Sequence, residues 1–160
     1  MKTYLCSLFI VLGFSLVFAL PGTAFASGGP SDAPVVVPTD PDITNAKKAI
    51  KDKNWDKAIE LLNKAAVRDG KNADLYNLLG YSERKRVNLD AAFKYYERAL
   101  VLDPKHRGAH EYIGEAYLMT GNLTKAEEHL AKLKKLCFLP CAEYRGLKAA
   151  IADYKQKHPQ

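Results

Sequence analysis

From Ile43 to the end of the chain, apolar residues recur at three- and four-residue spacing, with Lys, Glu and Asp filling the positions between them. This is the pattern of successive amphipathic α-helices, and no proline interrupts it between Ile43 and Pro104. The pattern also repeats. Residues 39–72, 73–106 and 107–140 align without a gap at a period of 34 residues. In that register the eighth position is Ala46, Gly80 and Gly114, and the twentieth is Ala58, Ala92 and Ala126. The sixteenth is Asn54, Asn88 and Asn122, followed by Trp55, Leu89 and Leu123, and the twenty-fourth is Leu62, Tyr96 and Leu130.

Two antiparallel helices joined by a tight turn approach closely only where the facing side chains are small, and the eighth and twentieth positions supply them. Larger neighbours fill the space beside that contact. The recurring Asn suits a turn that needs left-handed or irregular backbone, and Asp56, Asp90 and Thr124, two residues later, are expected as N-caps of each second helix. Thr124 and Glu127 have the spacing of a capping box.

These residues resemble the tetratricopeptide repeat family. The middle copy carries the resemblance best, with Tyr76, Leu79-Gly80, Ala92, Tyr96, Ala99 and Pro104. The third offers Ile113-Gly114, Tyr117, Ala126 and Leu130, while the first has Asp42 where an aromatic is expected and Gly70 in place of proline. The resemblance implies an all-α fold, an α-α superhelix of three helix pairs spanning residues 42–158. Tyr144, Leu147, Ile151 and Tyr154 form one apolar stripe over residues 142–157, which predicts a helix covering the exposed end of the array. The closing run L-C-F-L-P-C-A-E-Y-R-G-L-K-A-A-I further resembles the tail of small repeat proteins of this family exported to the periplasm of Gram-negative bacteria.

The first 41 residues follow different rules. Met1 and Lys2 lead into an uncharged apolar run from Tyr4 to Leu20, and Ala24-Phe25-Ala26 supplies a small-x-small cleavage pattern. Residues 1–26 therefore read as a signal peptide with the mature chain starting at Ser27. The competing reading is an uncleaved anchor, since a membrane span needs about 20 apolar residues. Residues 27–41 hold four prolines and two glycines without helical period and read as a flexible tether. Export together with the resemblance of the closing run implies the periplasm, with no stable membrane insertion expected once the leader is removed.

The sequence has 24 basic and 18 acidic residues; losing Lys2 leaves 23 against 18, a net charge of +5 spread among interspersed acids. That is a solvated mixed surface, and no nucleic-acid partner is expected. With Cys6 gone, two cysteines remain, Cys137 and Cys141, and an even count in an oxidising compartment suggests one disulfide pinning the turn around Pro140. The alternative is redox or copper chemistry at this pair with His129 nearby. His106 and His110 have helical spacing, but His106 falls in a loop, so His110 reads as a packing substitute for the aromatic of the fourth position. No phosphate loop, nucleophile elbow or paired carboxylate site is found, so the chain reads as a non-enzyme with no cofactor.

What remains is a groove. In the family, positions two, five, nine, twelve and thirteen of each first helix point inward. Carried over residue by residue, these are Lys47, Ile50, Lys51, Asn77, Tyr81, Arg84, Lys85, Glu111, Glu115, Leu118 and Met119. The first two repeats supply mostly basic groups, the third acids and then apolar side chains. The expected partner is another protein or an extended peptide, with acidic groups near Arg84 and Lys85 and an apolar side chain near Leu118. Self-association through the apolar ends of the array is a further alternative.

Overall fold

The computed structural model describes residues 40–159. The expected signal peptide and residues 27–39 of the expected tether lie outside that span. Within it the chain forms seven helices and, among the described residues, no strand: α1 Pro41–Lys51, α2 Trp55–Arg68, α3 Ala73–Lys85, α4 Leu89–Leu102, α5 Arg107–Met119, α6 Leu123–Leu136 and α7 Ala142–Lys157. Helices α1 and α2, α3 and α4, and α5 and α6 form antiparallel pairs, and each pair stacks on the next.

Helix α1 starts one residue earlier than expected, because Asp40 caps it by accepting the Asp42 N–H at 2.8 Å and Pro41 occupies the first turn. Where the second repeat has an aromatic, Asp42 instead meets Arg68 of α2, whose guanidinium also holds Asp40 through two hydrogen bonds of 2.9 and 2.8 Å. An ion-pair clamp thus replaces an aromatic contact in the first pair.

The turns inside the pairs share one geometry, and it corrects the expected roles of their residues. Lys53, Val87 and Gly121 take the left-handed conformation, with φ of 57°, 63° and 77°. The Asn that follows sends its backbone N–H back to the carbonyl five residues earlier, in Asn54 to Ala49, Asn88 to Glu83 and Asn122 to Tyr117, at 2.8, 3.0 and 2.8 Å. This is the Schellman closure of a helix C-terminus. The same Asn then opens the next helix: Asn54 and Asn122 accept the Lys57 and Lys125 N–H groups at 3.1 and 3.0 Å. Asn88 makes no such cap bond, and its amide donates to Glu83 at 3.0 Å instead. Asp56, Asp90 and Thr124 are therefore inside the helices rather than caps. Thr124 and Glu127 form no capping box, and Glu127 pairs with Lys155 of α7 at 2.6 Å.

Close approach occurs where the small residues predicted it. Ala46, Ala58, Ala92 and Ala126 have no exposed surface. A Cβ placed on Gly80 would stand 2.6 Å from two carbons of the Tyr96 ring, which is itself wholly buried. Gly114 makes the corresponding contact with α7, where a Cβ would lie 2.6 Å from a Leu147 methyl. Leu147, Ile151, Tyr144 and Tyr154 close the end of the array over Leu118, Ala126 and Leu133, as the stripe on the final helix predicts. Cys137, the C-cap of α6, is bonded to Cys141, the N-cap of α7.

Two stability outcomes follow. Val87 is β-branched, 69% exposed and left-handed, so Val87→Gly removes strain without losing packing and should stabilise by about 1 kcal/mol in urea denaturation. Gly80→Ala pushes a methyl into a ring that has no free space and should cost about 2 kcal/mol. Gly114→Ala should cost less, since Leu147 can change rotamer; equal losses at the two glycines would show that Tyr96 does not set the separation of α3 and α4.

Candidate functional site

The first helices of the pairs carry the candidate groove, and α5 touches both α3 and α7. An aromatic row borders the groove, starting from Trp55, the first residue of α2. The Tyr81 ring lies 6.1 Å from Trp55 on one side and 5.1 Å from Tyr112 on the other, so three half-buried rings from three repeats follow one another. Lys85 is exposed and places its ammonium 5.4 Å from the Tyr81 ring centre, and no carboxylate of the described residues lies within ion-pair distance of it.

Arg84 is not available in the way the sequence suggested. It is buried, pairs with Glu115 at 2.8 Å, donates to the Tyr96 hydroxyl at 3.3 Å, and sits 5.5 and 5.4 Å from the centres of Tyr81 and Tyr112. Its charge is spent inside the fold, so a ligand carboxylate would have to displace Glu115 to reach it. Asn77 is also buried, and its Oδ1 accepts no hydrogen bond. Gly108 of α5 makes room beside it, since a Cβ there would come within 3.2 Å of the Asn77 amide nitrogen. That acceptor is closed to solvent, so it is a cost of the packing between α3 and α5 rather than a contact open to a ligand.

The third repeat gathers the acids. Burial first, and then Glu115 and Glu143, push the Glu111 carboxyl up to about 7. Glu111 leans on α7 at Gly146, where an added Cβ would displace its carboxyl group. Leu118 is mostly a core residue and packs with Ala126, Leu133 and Ile151, whereas Met119 remains 48% exposed. Both border an open hollow of about 280 Å³ shared with Arg84 and Glu115 and closed on the far side by Ala150, Asp153 and Tyr154. That space suits one ligand side chain rather than a whole small molecule. Lys47 and Lys51 stand exposed and Ile50 half-buried on α1, outside the contacts that join the other candidates.

The contribution of α7 to this surface goes beyond the expected capping role. A signal for it exists in the chain: Leu79, Ile113 and Leu147 are spaced by the repeat period and all are buried, so α7 continues the series as the first helix of a fourth pair. The roles of Trp55 and Tyr112 depend on side-chain packing between repeats and carry no comparable signal.

Two further groups were candidates for chemistry. His110 and His129 face each other in the third pair, with their Nδ1 atoms 2.9 Å apart, and His110 Nε2–H donates to the Pro104 carbonyl at 3.0 Å. With that assignment His110 Nδ1 is the acceptor and His129 Nδ1–H the donor, which makes the His110 ring neutral. Tyr76 and Tyr95 hold the same two positions in the second repeat, with stacked rings 6.4 Å apart. His110 is thus a packing substitute, as expected, and His129 is engaged with it rather than with the cysteines. Burial, followed by the neighbouring His110 and Lys132, drives the His129 imidazole down to about 4.

A stacked series of helix pairs with a side-chain-lined groove and a capped end defines a repeat-array binding fold. Two family models described as tetratricopeptide repeat match residues 44–107 and 86–151. The chain belongs to the tetratricopeptide repeat family. It is 31% identical over 83 residues to the human protein O-mannosyl-transferase TMTC3, which covers 52% of this chain and 9% of that protein. It is 35% identical over 63 residues to the uncharacterized protein ycf37 of Guillardia theta, covering 39% of this chain and 35% of that one. The chain therefore spans well under half of these curated relatives. Among solved structures, the type III secretion translocator chaperone SycD of Yersinia enterocolitica superposes with a TM-score of 0.67 at 18% identity, covering 75% of this chain and 85% of that one. SycD in complex with a peptide of the translocator YopD gives 0.63 at 19%, covering 73% and 88%. The TPR2B domain of yeast Sti1 in complex with pHsp70 gives 0.67 at 17%, covering 74% and 96%.

The histidine pair sets an acid limit on stability. With the folded His129 below its usual 6.5, the unfolded chain binds the extra proton, so stability is intact above about pH 6.5 and falls as pH drops toward 4. Glu111 acts in the opposite sense: its raised carboxyl favours the folded state at low pH and costs stability as pH rises from 4.5 toward 7. Thermal melts from pH 4 to 8 should therefore separate the two. Tyrosine at both 110 and 129 flattens the acid loss, and Glu111→Gln raises the melting temperature at pH 8 by several degrees and at pH 4.5 by much less.

Proposed function

We propose that this protein is a non-catalytic adaptor of the periplasm that binds another protein, or an extended segment of one, along the groove of α1, α3, α5 and α7. The observation that carries the reading is the row Trp55, Tyr81 and Tyr112, with the unpaired Lys85 ammonium beside it. Three rings held at fixed spacing on packed helices offer apolar contact at little cost in ordering, which is how a preformed groove gains affinity. Arg84 serves as an internal strut that holds Tyr81 and Tyr112 in place rather than as a ligand contact. Similar structures solved with peptides bound support the binding mode. Export is supported by the apolar leader and by the bonded cysteine pair, which an oxidising compartment favours.

The test uses the exposed groove residues and spares the strut. Capture of partners from periplasmic extract, followed by binding isotherms for those recovered, should show at least a tenfold loss for Tyr81→Ala combined with Lys85→Glu, with unchanged circular dichroism. Undiminished capture by this variant would remove the groove as the binding surface.

A further inference from the structure

The loops that join one repeat to the next occupy the same four positions of the period: Asp69-Gly70-Lys71-Asn72, Asp103-Pro104-Lys105-His106 and Cys137-Phe138-Leu139-Pro140. In the first two, the aspartate organises the loop by accepting the Lys71 or Lys105 N–H at 3.1 or 2.9 Å. Asn72 and His106 then cap the next helix. The third loop has lost the acid, the lysine and the polar cap together. The Cys137–Cys141 bond joins the helix ends in their stead, and the tip it holds out is apolar: Phe138 is fully exposed and Leu139 is 73% exposed. Among the described residues nothing covers these side chains, and the polar residues of the other two loops show that the turn does not need them.

The surroundings of the tip are uniformly cationic. Lys134 shares a shallow hollow with Phe138, Pro140 and Tyr144, and Lys135 is its neighbour in the last turn of α6. On α7, Arg145 donates to the Pro140 carbonyl, and Lys148 lies one turn further on. These four cations are exposed, and none pairs with a carboxylate of the described residues. Glu143, the acid closest in sequence, faces Arg107 at 3.8 Å.

Two large apolar side chains at a constrained tip, flanked by unneutralised Lys134 and Arg145 with Lys135 and Lys148 on the same two helix ends, match a surface that is apolar within and anionic at its edge. We infer that the Cys137–Cys141 loop is a peripheral membrane contact, inserting Phe138 and Leu139 at the interface of an anionic bilayer while Lys134, Lys135, Arg145 and Lys148 meet the phosphate headgroups. The disulfide holds the tip in its protruding form, so little order is lost on insertion. The contact is reversible, since two side chains and four charges fall far short of a membrane span. It lies at the start of α7, whereas the hollow of the groove lies toward its end, so the array can rest on a lipid surface with its groove open.

The full chain is tested by sedimentation with vesicles of phosphatidylglycerol and phosphatidylcholine in equal parts, and with phosphatidylcholine alone. Because every variant keeps the same N-terminal segment, differences among them report the tip. Binding to the anionic vesicles should weaken about tenfold for Phe138→Ser with Leu139→Ser. It should weaken at least twentyfold for Lys134→Glu with Lys135→Glu, at roughly fivefold per charge removed. Phe138→Trp should show a blue shift in emission with anionic vesicles, read against the protein carrying Trp55 alone. Unchanged binding by both double variants, or no binding by the wild type, would overturn the inference; the last result would leave the tip to a pocket on a protein partner. Melting curves should match the wild type throughout, because the altered side chains are exposed.

Discussion

The middle helix pair depends on a contact that only a small side chain permits. Gly80 lies against the flat face of Tyr96, and Ala92, fully buried beside it, lets α3 and α4 come together close enough for the ring to be sealed from solvent. Everything that makes the groove rests on that separation. The Tyr96 hydroxyl, fixed by the buried ring, meets Arg84, and Arg84 in turn reaches Glu115 of the next repeat and the faces of Tyr81 and Tyr112. A packing constraint inside one pair is thereby passed, through a single guanidinium, into the spacing of the groove across two repeats.

The period exposed most of this architecture because small residues at close approaches leave a strong and repeated mark. Positions eight and twenty were readable for that reason, and so was the stripe Tyr144, Leu147, Ile151 and Tyr154. The caps lie two residues before the positions that local preference favours. Asn is the residue suited to left-handed backbone, yet Lys53 and Val87, residues with no preference for it, adopt it because the Schellman closure demands that conformation one residue before the cap. Local preference yields here to the geometry of two helices that must reverse direction. The groove was legible as a set of positions but not as a set of available charges. That Arg84 is consumed by Glu115, and that Leu118 belongs to the core, depends on distances between repeats that no spacing within one repeat encodes.

The third repeat shows how the same frame tolerates a change of chemistry. Its histidine pair takes the place of the stacked Tyr76 and Tyr95, keeping two planar rings between the helices but making their burial conditional on both remaining neutral. Glu111, on the same helix as His110, is under the opposite constraint, since its burial against Gly146 is easiest with the proton on. The two groups pull the repeat toward different ends of the pH scale. Their compromise lies near neutrality, where one is largely uncharged and the other only partly ionised.

The groove carries a corresponding asymmetry along its length. Lys85 stands free near the aromatic row, while Glu111, Glu115 and Glu143 gather at the α5 and α7 end, with Arg84 neutralising one of them. An extended chain lying along such a surface is not equivalent in its two directions: a cation is favoured toward α7 and an anion toward the aromatic row. The rings supply contact that is tolerant of sequence, and the charges, placed on either side of the buried Arg84, supply the orientation. Because Arg84 is held by partners on two repeats, that division of charge is a property of the folded array and is lost if either repeat is removed.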